Sequence, residues 1–214
     1  MICKVLLRNF CNCCILKGSF RLFSGKLRYC KESPYLAGLQ PTQNLSEIKQ
    51  ASLEKEEENY HFKKFLRTRD AASVDLLVQD LNREIAPQID CTKCGNCCKS
   101  LMVNITQEET ERISQQLGQN LKEFKAKYVE TSLEGMMVLN TIPCHFLAGT
   151  SCSIYENRFT ECREFPRLDQ PNFSDRLFAT LMHYGRCPII FRVVEALKIQ
   201  TGFFESAAEN PDPR

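Results

Sequence analysis

Four cysteines fall within eight residues of the sequence, at Cys91, Cys94, Cys97 and Cys98. This C-x-x-C-x-x-C-C spacing suits metal chelation, because a two-residue spacer lets the chain turn until both thiolates face one ion. Gly95 follows the second cysteine and can adopt the positive φ that such a turn favours. Four more cysteines follow, at Cys144, Cys152, Cys162 and Cys187.

Eight thiols are enough for two metal sites, because four thiolates complete a tetrahedral zinc site or hold one iron–sulfur cluster. Cys97 and Cys98 are adjacent, and neighbouring side chains usually point in different directions. One thiolate for each of two metals is the simplest use of such a pair. We therefore predict that all eight cysteines are metal ligands and that they converge into one compact cluster, with zinc or an iron–sulfur cluster as the cofactor.

Disulfide bonds are the main alternative use of these cysteines, and the cellular compartment decides between the two uses. Arg8 and Lys17 interrupt the apolar residues of the N-terminal segment, and no small-residue cleavage pattern follows, so a secretory signal is not indicated. The C-x-x-C-x-x-C-C spacing would also crowd disulfide bridges into poor geometry. The metal interpretation is therefore favoured. Five further cysteines lie in or near the N-terminal leader and are expected to be outside the site: Cys3, Cys11, Cys13, Cys14 and Cys30.

The first 31 residues carry seven Lys or Arg and no acidic residue. This composition is typical of a mitochondrial transit peptide, and Arg21-Leu22-Phe23-Ser24 suggests cleavage near Phe23. A basic tail on a cytoplasmic protein is the alternative. The remaining chain has 21 basic and 26 acidic residues, a net charge of −5, which argues against a general nucleic-acid-binding surface. No apolar run approaches the ~18 residues that a membrane span needs.

The sequence predicts a small α+β fold that is mainly α, with short strands and a loop-rich, metal-stabilised cysteine cluster. We expect a transit peptide at 1–23, a linker and charged helix at 24–70, the cysteine-cluster domain at 71–204 and a disordered tail at 205–214. Apolar residues from Val74 to Ile85 recur every three or four positions, as in an amphipathic helix that ends before Pro87.

Capping residues predict further helices. Thr106 and Glu109 form a capping box, and Asn120 is the predicted N-cap of the helix that follows. Ser174 is predicted to cap a helix whose inward residues are Leu177, Phe178, Leu181 and Met182, and another helix begins at Pro188. Short strands are expected within 101–105 and 135–141.

The segment 142–173 contains three of the cysteines and several prolines, but no long amphipathic stripe. We expect it to bury little apolar surface by itself. Irregular backbone of this kind is typical of chains held in place by metal bonds. We therefore predict that metal removal, or Cys94→Ser, disorders this segment and the 91–98 loop while the capped helices between 107 and 129 keep part of their helicity.

Motifs spread over residues 88–200 resemble the CxxCxxCC family, which is described as zinc- or iron-chelating. The matching motifs include all eight cysteines in order: Cys91-x-x-Cys94-Gly-x-Cys97-Cys98, Pro143-Cys144-x-Phe146-Leu147, Cys152-x-Ile154-Tyr155-Glu156, Arg158, Cys162-Arg163-x-Phe165-Pro166 and Cys187-Pro188. Where the family usually has Arg-Pro, this chain has Arg158-Phe159. Some relatives are labelled iron–sulfur oxidoreductases, and flagellin lysine methylases look similar in this region, but shared cysteines do not fix a reaction.

Cys91, Cys94 and Cys97 with the distant Cys187-Pro188 resemble the pattern that holds four-iron clusters. Cys98, Cys144, Cys152 and Cys162 would then form a structural zinc site, although two zinc sites fit equally well. The chain has no phosphate-binding Gly-rich loop and no G-x-S-x-G or H-E-x-x-H motif, so its sequence assigns no enzymatic reaction. The two functions that remain are a mitochondrial metal-binding protein acting in redox or group-transfer chemistry, and a non-catalytic zinc-stabilised module that binds a protein or RNA partner.

Several residues near the cysteines are secondary candidates. His145 could serve as a ligand but is surplus to eight cysteines, and His183 is expected to interact with a helix dipole. Tyr155 and Arg163 could donate hydrogen bonds to sulfur or to an anion. Nearby cations that could offset the negative charge of bound thiolates are Lys93, Lys99, Arg158, Arg163 and Arg186.

Overall fold

The computed structural model describes residues 43–204, all within a compact unit that spans residues 40–214. The predicted transit peptide and C-terminal tail lie outside the described residues. No helix within 43–204 is long and apolar enough to cross a membrane. The helices of this part of the chain are α1 (Leu45–Glu54), α2 (Glu56–Leu66), α3 (Ala71–Ile85), α4 (Cys91–Cys94), α5 (Asn96–Ser100), α6 (Gln107–Gln116), α7 (Leu121–Tyr128), α8 (Thr160–Glu164), α9 (Phe173–Leu181) and α10 (Pro188–Gln200).

The strands are short and antiparallel, and they form two small sheets. One sheet has the order β1-β3-β2, and the other is the β4-β5 hairpin. The predicted fold class, mainly α with short strands, is confirmed. The strands are β1 (Asn104–Ile105), β2 (Val129–Thr131), β3 (Met137–Leu139), β4 (Leu147–Ala148) and β5 (Ser151–Cys152).

Helix α3 packs against α10 and α9, and these contacts form the helical part of the core. The predicted stripe on α3 is buried at Val74, Val78, Leu81 and Ile85. Helix α10 is buried at every residue from 188 to 198. Pro188 is tolerated at its first position, because an N–H at that position would have no partner within the helix. The charged segment 45–67 forms two helices, α1 and α2, whose apolar faces bury Ile48, Phe62 and Leu66.

The β1-β3-β2 sheet and helices α6 and α7 share a second hydrophobic core. Both hydrogen bonds of the capping box are present at the start of α6: the Thr106 side chain accepts from the Glu109 amide, and the Glu109 side chain accepts from the Thr106 amide. At the start of α7 the Asn120 side chain accepts from the Lys122 amide. Both predicted caps are confirmed. The buried residues of this core are Val103, Ile105, Ile113, Phe124, Tyr128, Leu139, Phe146, Ile154 and Phe159.

The segment 142–173 contributes to that second core rather than standing apart from it. Phe146, Ile154 and Phe159 are buried in it, next to side chains from α6, α7 and the sheet. Individual apolar residues at loop and hairpin positions anchor this segment, and no helical periodicity reveals them. The expectation that the segment buries little apolar surface therefore holds only for the segment by itself, because these three side chains pack against other elements.

The predicted start of α9 is wrong, and its predicted inward face is only partly right: Leu177 is buried and Leu181 half-buried, but Phe178 and Met182 are exposed. Helix α9 begins at Phe173, so Ser174 lies inside its first turn instead of capping it. The Asp75 carboxylate of α3 accepts hydrogen bonds from the amides of Asn172 (2.7 Å) and Phe173 (2.8 Å), which satisfies two amides at the start of α9 from another helix. The earlier start rotates the buried face, and Phe178 and Met182 are consequently 60% and 63% exposed.

Candidate metal centre

The C-x-x-C-x-x-C-C motif forms two short helical turns, α4 and α5, joined at Gly95. The Asp90 side chain caps α4 by accepting hydrogen bonds from the Thr92 amide (3.0 Å) and hydroxyl (2.6 Å). Gly95 adopts the left-handed conformation (φ 57°), and its amide donates to the carbonyl of Cys91. The predicted turn at this glycine is therefore present. It ends α4 and begins α5, which carries both Cys97 and Cys98.

The tip of the β4-β5 hairpin lies directly on Gly95. A Cβ atom at this position would come within 2.6 Å of the carbonyl oxygen of Thr150, so any side chain would push the hairpin away. The Ser151 hydroxyl donates to the carbonyl of Thr92 (3.2 Å), and the Cys144 amide donates to the carbonyl of Cys98 (2.8 Å). These contacts bring the segment that carries Cys144 and Cys152 against the motif.

The turn before α10 is attached to the other side of the motif. The Asn96 side-chain amide donates to the carbonyl of Arg186 (2.7 Å), and the Arg186 guanidinium donates to the carbonyl of Ser100 (3.3 Å). Cys187 follows as the N-cap residue of α10 and is buried. The motif thus lies between the helical part of the core and the second hydrophobic core.

Two cavities adjoin the motif, and together they collect seven of the eight cysteines. The smaller, of about 40 Å³, is lined by Cys91, Cys94, Cys97 and Cys187. The larger, of about 360 Å³, is lined by Cys97, Cys98, Cys144 and Cys162. The eighth, Cys152, is paired with Leu147 in the β4-β5 hairpin and packs against the second core together with Cys144 and Cys162.

The pKa values of three thiols around the smaller cavity, those of Cys91, Cys97 and Cys187, are raised. Burial raises the pKa of Cys187 to about 12, and the charges of Cys91 and Cys97 act in the same direction. Burial also raises the pKa of Cys91, again with help from the charges of Cys97 and Cys94. Arg158 acts in the opposite sense on Cys91 and favours its thiolate. These thiols are close enough to repel one another when ionised, which a bound cation would offset.

The thiols beside the larger cavity also affect one another's pKa values. Burial raises the pKa of Cys162 to about 12, and the charges of Cys144, Cys97 and Cys152 add to that effect. Burial likewise raises the pKa of Cys144, with a contribution from the charge of Cys152. The sulfurs of Cys97 and Cys98 are 3.9 Å apart, and the hydrogen bond between them raises the pKa of Cys97 while it lowers that of Cys98.

All eight of these thiols are free, but within residues 43–204 no three Cys, His, Asp or Glu side chains are already positioned to hold one metal ion. Sulfurs that share a zinc ion lie about 4 Å apart, since each Zn–S bond is about 2.3 Å. The donor chemistry nevertheless fits zinc or iron, because seven of the eight thiols line two adjacent cavities. Side-chain rotation or small shifts of the loops would be needed to close either set around a metal.

Three of the secondary candidates make hydrogen bonds to residues other than the cysteines. His145 accepts or donates a hydrogen bond with Asn140 (2.7 Å) and lies edge-on to Tyr128. The Arg158 guanidinium lies 4.0 Å from the centre of the Tyr155 ring and donates to that residue's carbonyl. Arg163 donates to the Thr160 hydroxyl (3.1 Å).

Lys93 and His183 are two further candidates from the sequence, and they lie in different surroundings. Lys93 forms an exposed ion pair with Asp90 (3.3 Å). His183 lines the larger cavity against Phe165, where burial and the charge of Arg186 lower its pKa. Its Nδ1 atom is buried and has no hydrogen-bond partner. Glu161, Arg167 and Arg176 also line this cavity, and no local sequence signal identified them as site residues.

The cysteine-rich site is similar to that of a class of metal-chelating domains. Residues 90–182 match the model of the CxxCxxCC family, described as "Putative zinc- or iron-chelating domain". The match includes seven of the eight cysteines, and Cys187 lies just beyond it. No curated protein and no solved structure matches the chain.

Proposed function

We propose that this protein binds metal through two sets of four cysteines that meet at α5. The first set is Cys91, Cys94, Cys97 and Cys187, and the second is Cys98, Cys144, Cys152 and Cys162. The observation that carries the proposal is the placement of seven of these eight residues, all but Cys152, around two adjacent cavities. The mutual effects on thiol pKa values link the same residues: Cys187 responds to Cys91 and Cys97, and Cys162 responds to Cys144, Cys97 and Cys152, so Cys97 affects both groups.

The metal is zinc or an iron–sulfur cluster, and the protein acts in redox or group-transfer chemistry. A bound iron–sulfur cluster would supply electron transfer, and zinc would supply Lewis acidity or a structural crosslink. The chain's own residues hold the thiols in place. Helix α5 carries one cysteine for each set, Gly95 admits the β4-β5 hairpin, and Arg158 favours the thiolate of Cys91.

A purely structural role for the metal is the second candidate. It is favoured by the position of the motif, which is hydrogen-bonded to the 144–152 segment on one side and to Arg186 on the other. Metal bonds across this junction would tie the two cores together. In this case the protein is a zinc-stabilised module that binds a protein or RNA partner.

Metal analysis after anaerobic purification of the full chain tests the proposal. We expect about two zinc ions per chain, or about four iron atoms with one zinc ion. A brown, iron-containing protein would favour redox chemistry, and a colourless protein with stoichiometric zinc would favour the structural module. A chain that carries neither metal above background would show the proposal to be wrong.

Serine substitutions in each set test how the cysteines divide. Cys94→Ser should remove the metal of the first set and leave the second, whereas Cys152→Ser should do the reverse. Cys30→Ser is the matched control, because Cys30 belongs to neither set, and it should leave the metal content unchanged. Equal loss of both metals in Cys94→Ser and Cys152→Ser would contradict two separable sites.

We further propose that the protein acts in mitochondria and that about the first 23 residues are removed on import. The support is the seven basic and no acidic residues among the first 31. The N-terminal peptide of the endogenous protein, identified by mass spectrometry in fractionated cells, tests this. We expect a terminus near Phe23 in the mitochondrial fraction. An intact Met1 found only in the cytosolic fraction would contradict import.

A further inference from the structure

The two cavities beside the motif differ in size by almost an order of magnitude. The one lined by Cys91, Cys94, Cys97 and Cys187 measures about 40 Å³, enough for an ion or a few water molecules. The one lined by Cys98, Cys144 and Cys162 measures about 360 Å³, within the range typical of pockets for small organic ligands. Metal sites that act on a substrate keep an open side, whereas structural sites are closed. The second cysteine set therefore has the open side.

Most of the wall of the large cavity is apolar. Leu101 and Val103 line it from the segment before β1, Phe165 and Pro166 line it from the end of α8, and Ala179 lines it from α9. A wall of this composition favours a ligand with an apolar body, because burying apolar surface is the main source of affinity in such pockets.

One edge of the same cavity is basic. The Arg176 guanidinium donates to three backbone carbonyls, those of Arg167 (3.0 Å), Gln170 and Pro171 (2.9 Å), so its position is fixed and these bonds leave its charge without a carboxylate partner. Arg167 makes both of its ion pairs through Nη2, with Glu164 at 3.1 Å and Glu161 at 4.0 Å.

The acidic residue in the cavity wall, Glu161, is already engaged with the protein. Its carboxylate accepts hydrogen bonds from the backbone amide (2.7 Å) and the side-chain amide (2.8 Å) of Asn104. Within the cavity wall two guanidinium groups therefore stand beside one hydrogen-bonded carboxylate. Glu164, which does not line the cavity, pairs with Arg167, so Arg176 is the guanidinium of this edge without a carboxylate partner. The balance favours an anionic group on a ligand.

We propose that the large cavity binds a small, mainly apolar organic molecule that carries one anionic group. The anion lies at the Arg167 and Arg176 edge, and the apolar body extends toward Cys98, Cys144 and Cys162. This orientation keeps the anion away from thiolates of like charge. The proposal rests on the proposed function only in assigning this pocket to the second metal set, since the cavity itself is formed by protein atoms.

Binding of 1-naphthoate and of its uncharged analogue 1-naphthamide to the full chain as purified tests the proposal. The two probes share the same ring system and differ in charge. We expect both to bind, as followed by NMR titration, and naphthoate to bind about five- to tenfold more tightly because of a charge-assisted hydrogen bond. Intermolecular NOEs from the naphthalene ring to the methyl groups of Val103 and Ala179 should place the probe in the cavity.

Two variants and a matched control sharpen the test. Ala179→Trp should fill the cavity and weaken both probes at least about tenfold. Ala72→Trp makes the same change at an exposed position of α3 that does not line the cavity, and it should leave both affinities unchanged. Arg167→Gln should weaken naphthoate by about fivefold and leave naphthamide unchanged.

The outcomes separate this proposal from the metal proposal. Absence of naphthoate binding to protein with a full metal complement would overturn the ligand pocket and leave the metal proposal intact. NOEs to other methyl groups, or equal binding by Ala179→Trp in its folded state, would place the probe elsewhere and also overturn it. Equal weakening of both probes in Arg167→Gln would overturn the anionic part of the assignment. A purified chain that carries neither zinc nor iron above background but binds naphthoate would overturn the metal proposal alone.

Discussion

Removing the metal from the full chain should abolish much of the hydrogen-exchange protection in the 91–98 loop and in the 142–173 segment. Structural metal in small sites supplies roughly 10 kcal/mol or more of folding free energy, which equals or exceeds the usual net stability of a domain. Helices α4 and α5 are only four and five residues long, and such short helices are not stable without tertiary support. The amide of Cys144, which donates to Cys98, should be among the first to lose protection.

The second hydrophobic core limits how far this loss extends. Phe146, Ile154 and Phe159 should stay packed in this core without metal, because their burial depends on apolar contacts. We therefore expect α6 and α7 to retain part of their protection, while the β4-β5 hairpin and α8 lose theirs.

Hydrogen exchange of reduced protein, measured with and without a strong chelator, gives the result directly. The same chelator saturated with zinc is the control, because its metal-binding groups are already occupied and it cannot remove metal. Because Cys94 belongs to the first set alone, Cys94→Ser should reproduce the loss in the 91–98 loop but not that in 142–173, which is a narrower effect than the sequence by itself predicts. Unchanged protection across 142–173 in fully metal-free, reduced protein would show that the fold does not depend on metal.

Replacing Glu195 with alanine should lower the free energy of unfolding by about 3 kcal/mol, as expected for breaking a buried ion pair. The Glu195 carboxylate accepts from Tyr184 (2.7 Å) and from Lys198 (2.7 Å), and it forms an ion pair with Lys55. The Lys198 side chain is 0% exposed, so it would keep a buried charge with fewer partners. The remaining pair between Lys198 and Glu58 (2.6 Å) places the effect at the lower end of the range for such changes.

Chemical denaturation of the variant and of a matched control measures this effect. Glu134 lies in an exposed turn, and Glu134→Ala should change the free energy of unfolding by less than about 0.5 kcal/mol. A Glu195→Ala variant as stable as Glu134→Ala would show that the buried network contributes nothing to stability.

The same network predicts a pH dependence. Burial alone would raise the pKa of Glu195, but the charge of Lys198 and hydrogen bonds from Lys198, Lys55 and Tyr184 outweigh burial and lower it. A carboxyl group with a lowered pKa contributes stability that is present above its ordinary pKa and is lost as the pH falls through the lowered value. Unfolding free energy should therefore fall more steeply on acidification in the natural chain than in Glu195→Gln.

The features that the sequence predicts correctly are those specified by neighbouring residues. The Thr106–Glu109 capping box and the Asn120 cap are three-residue patterns, and the stripe on α3 is a periodic one. The start of α9 could not be predicted in this way, because its capping carboxylate comes from Asp75, 97 residues earlier than Asn172. Local patterns do not report a partner at that separation.

The site residues also divide into those that local sequence patterns reveal and those that only the folded chain brings together. Cysteine spacing identifies the candidate ligands, since each C-x-x-C step is a local unit. The large cavity is different, because Glu161, Arg176 and His183 become neighbours only when α8 and α9 pack beside the motif. Lys198 shows the same limit: within its own helix it is one lysine near the C-terminal end, and only the packing of α2 supplies Glu58 as its buried partner.

The Asp75 cap also makes the large cavity sensitive at a distance. Asp75 does not line the cavity, yet it fixes the first turn of α9, and α9 carries Ala179 and Thr180 of the cavity wall. We therefore expect a shift of α3 to move that wall, through the Asp75 carboxylate and through the direct packing of α3 on α9. A helix outside the pocket would in this way influence the shape of the space beside the second cysteine set.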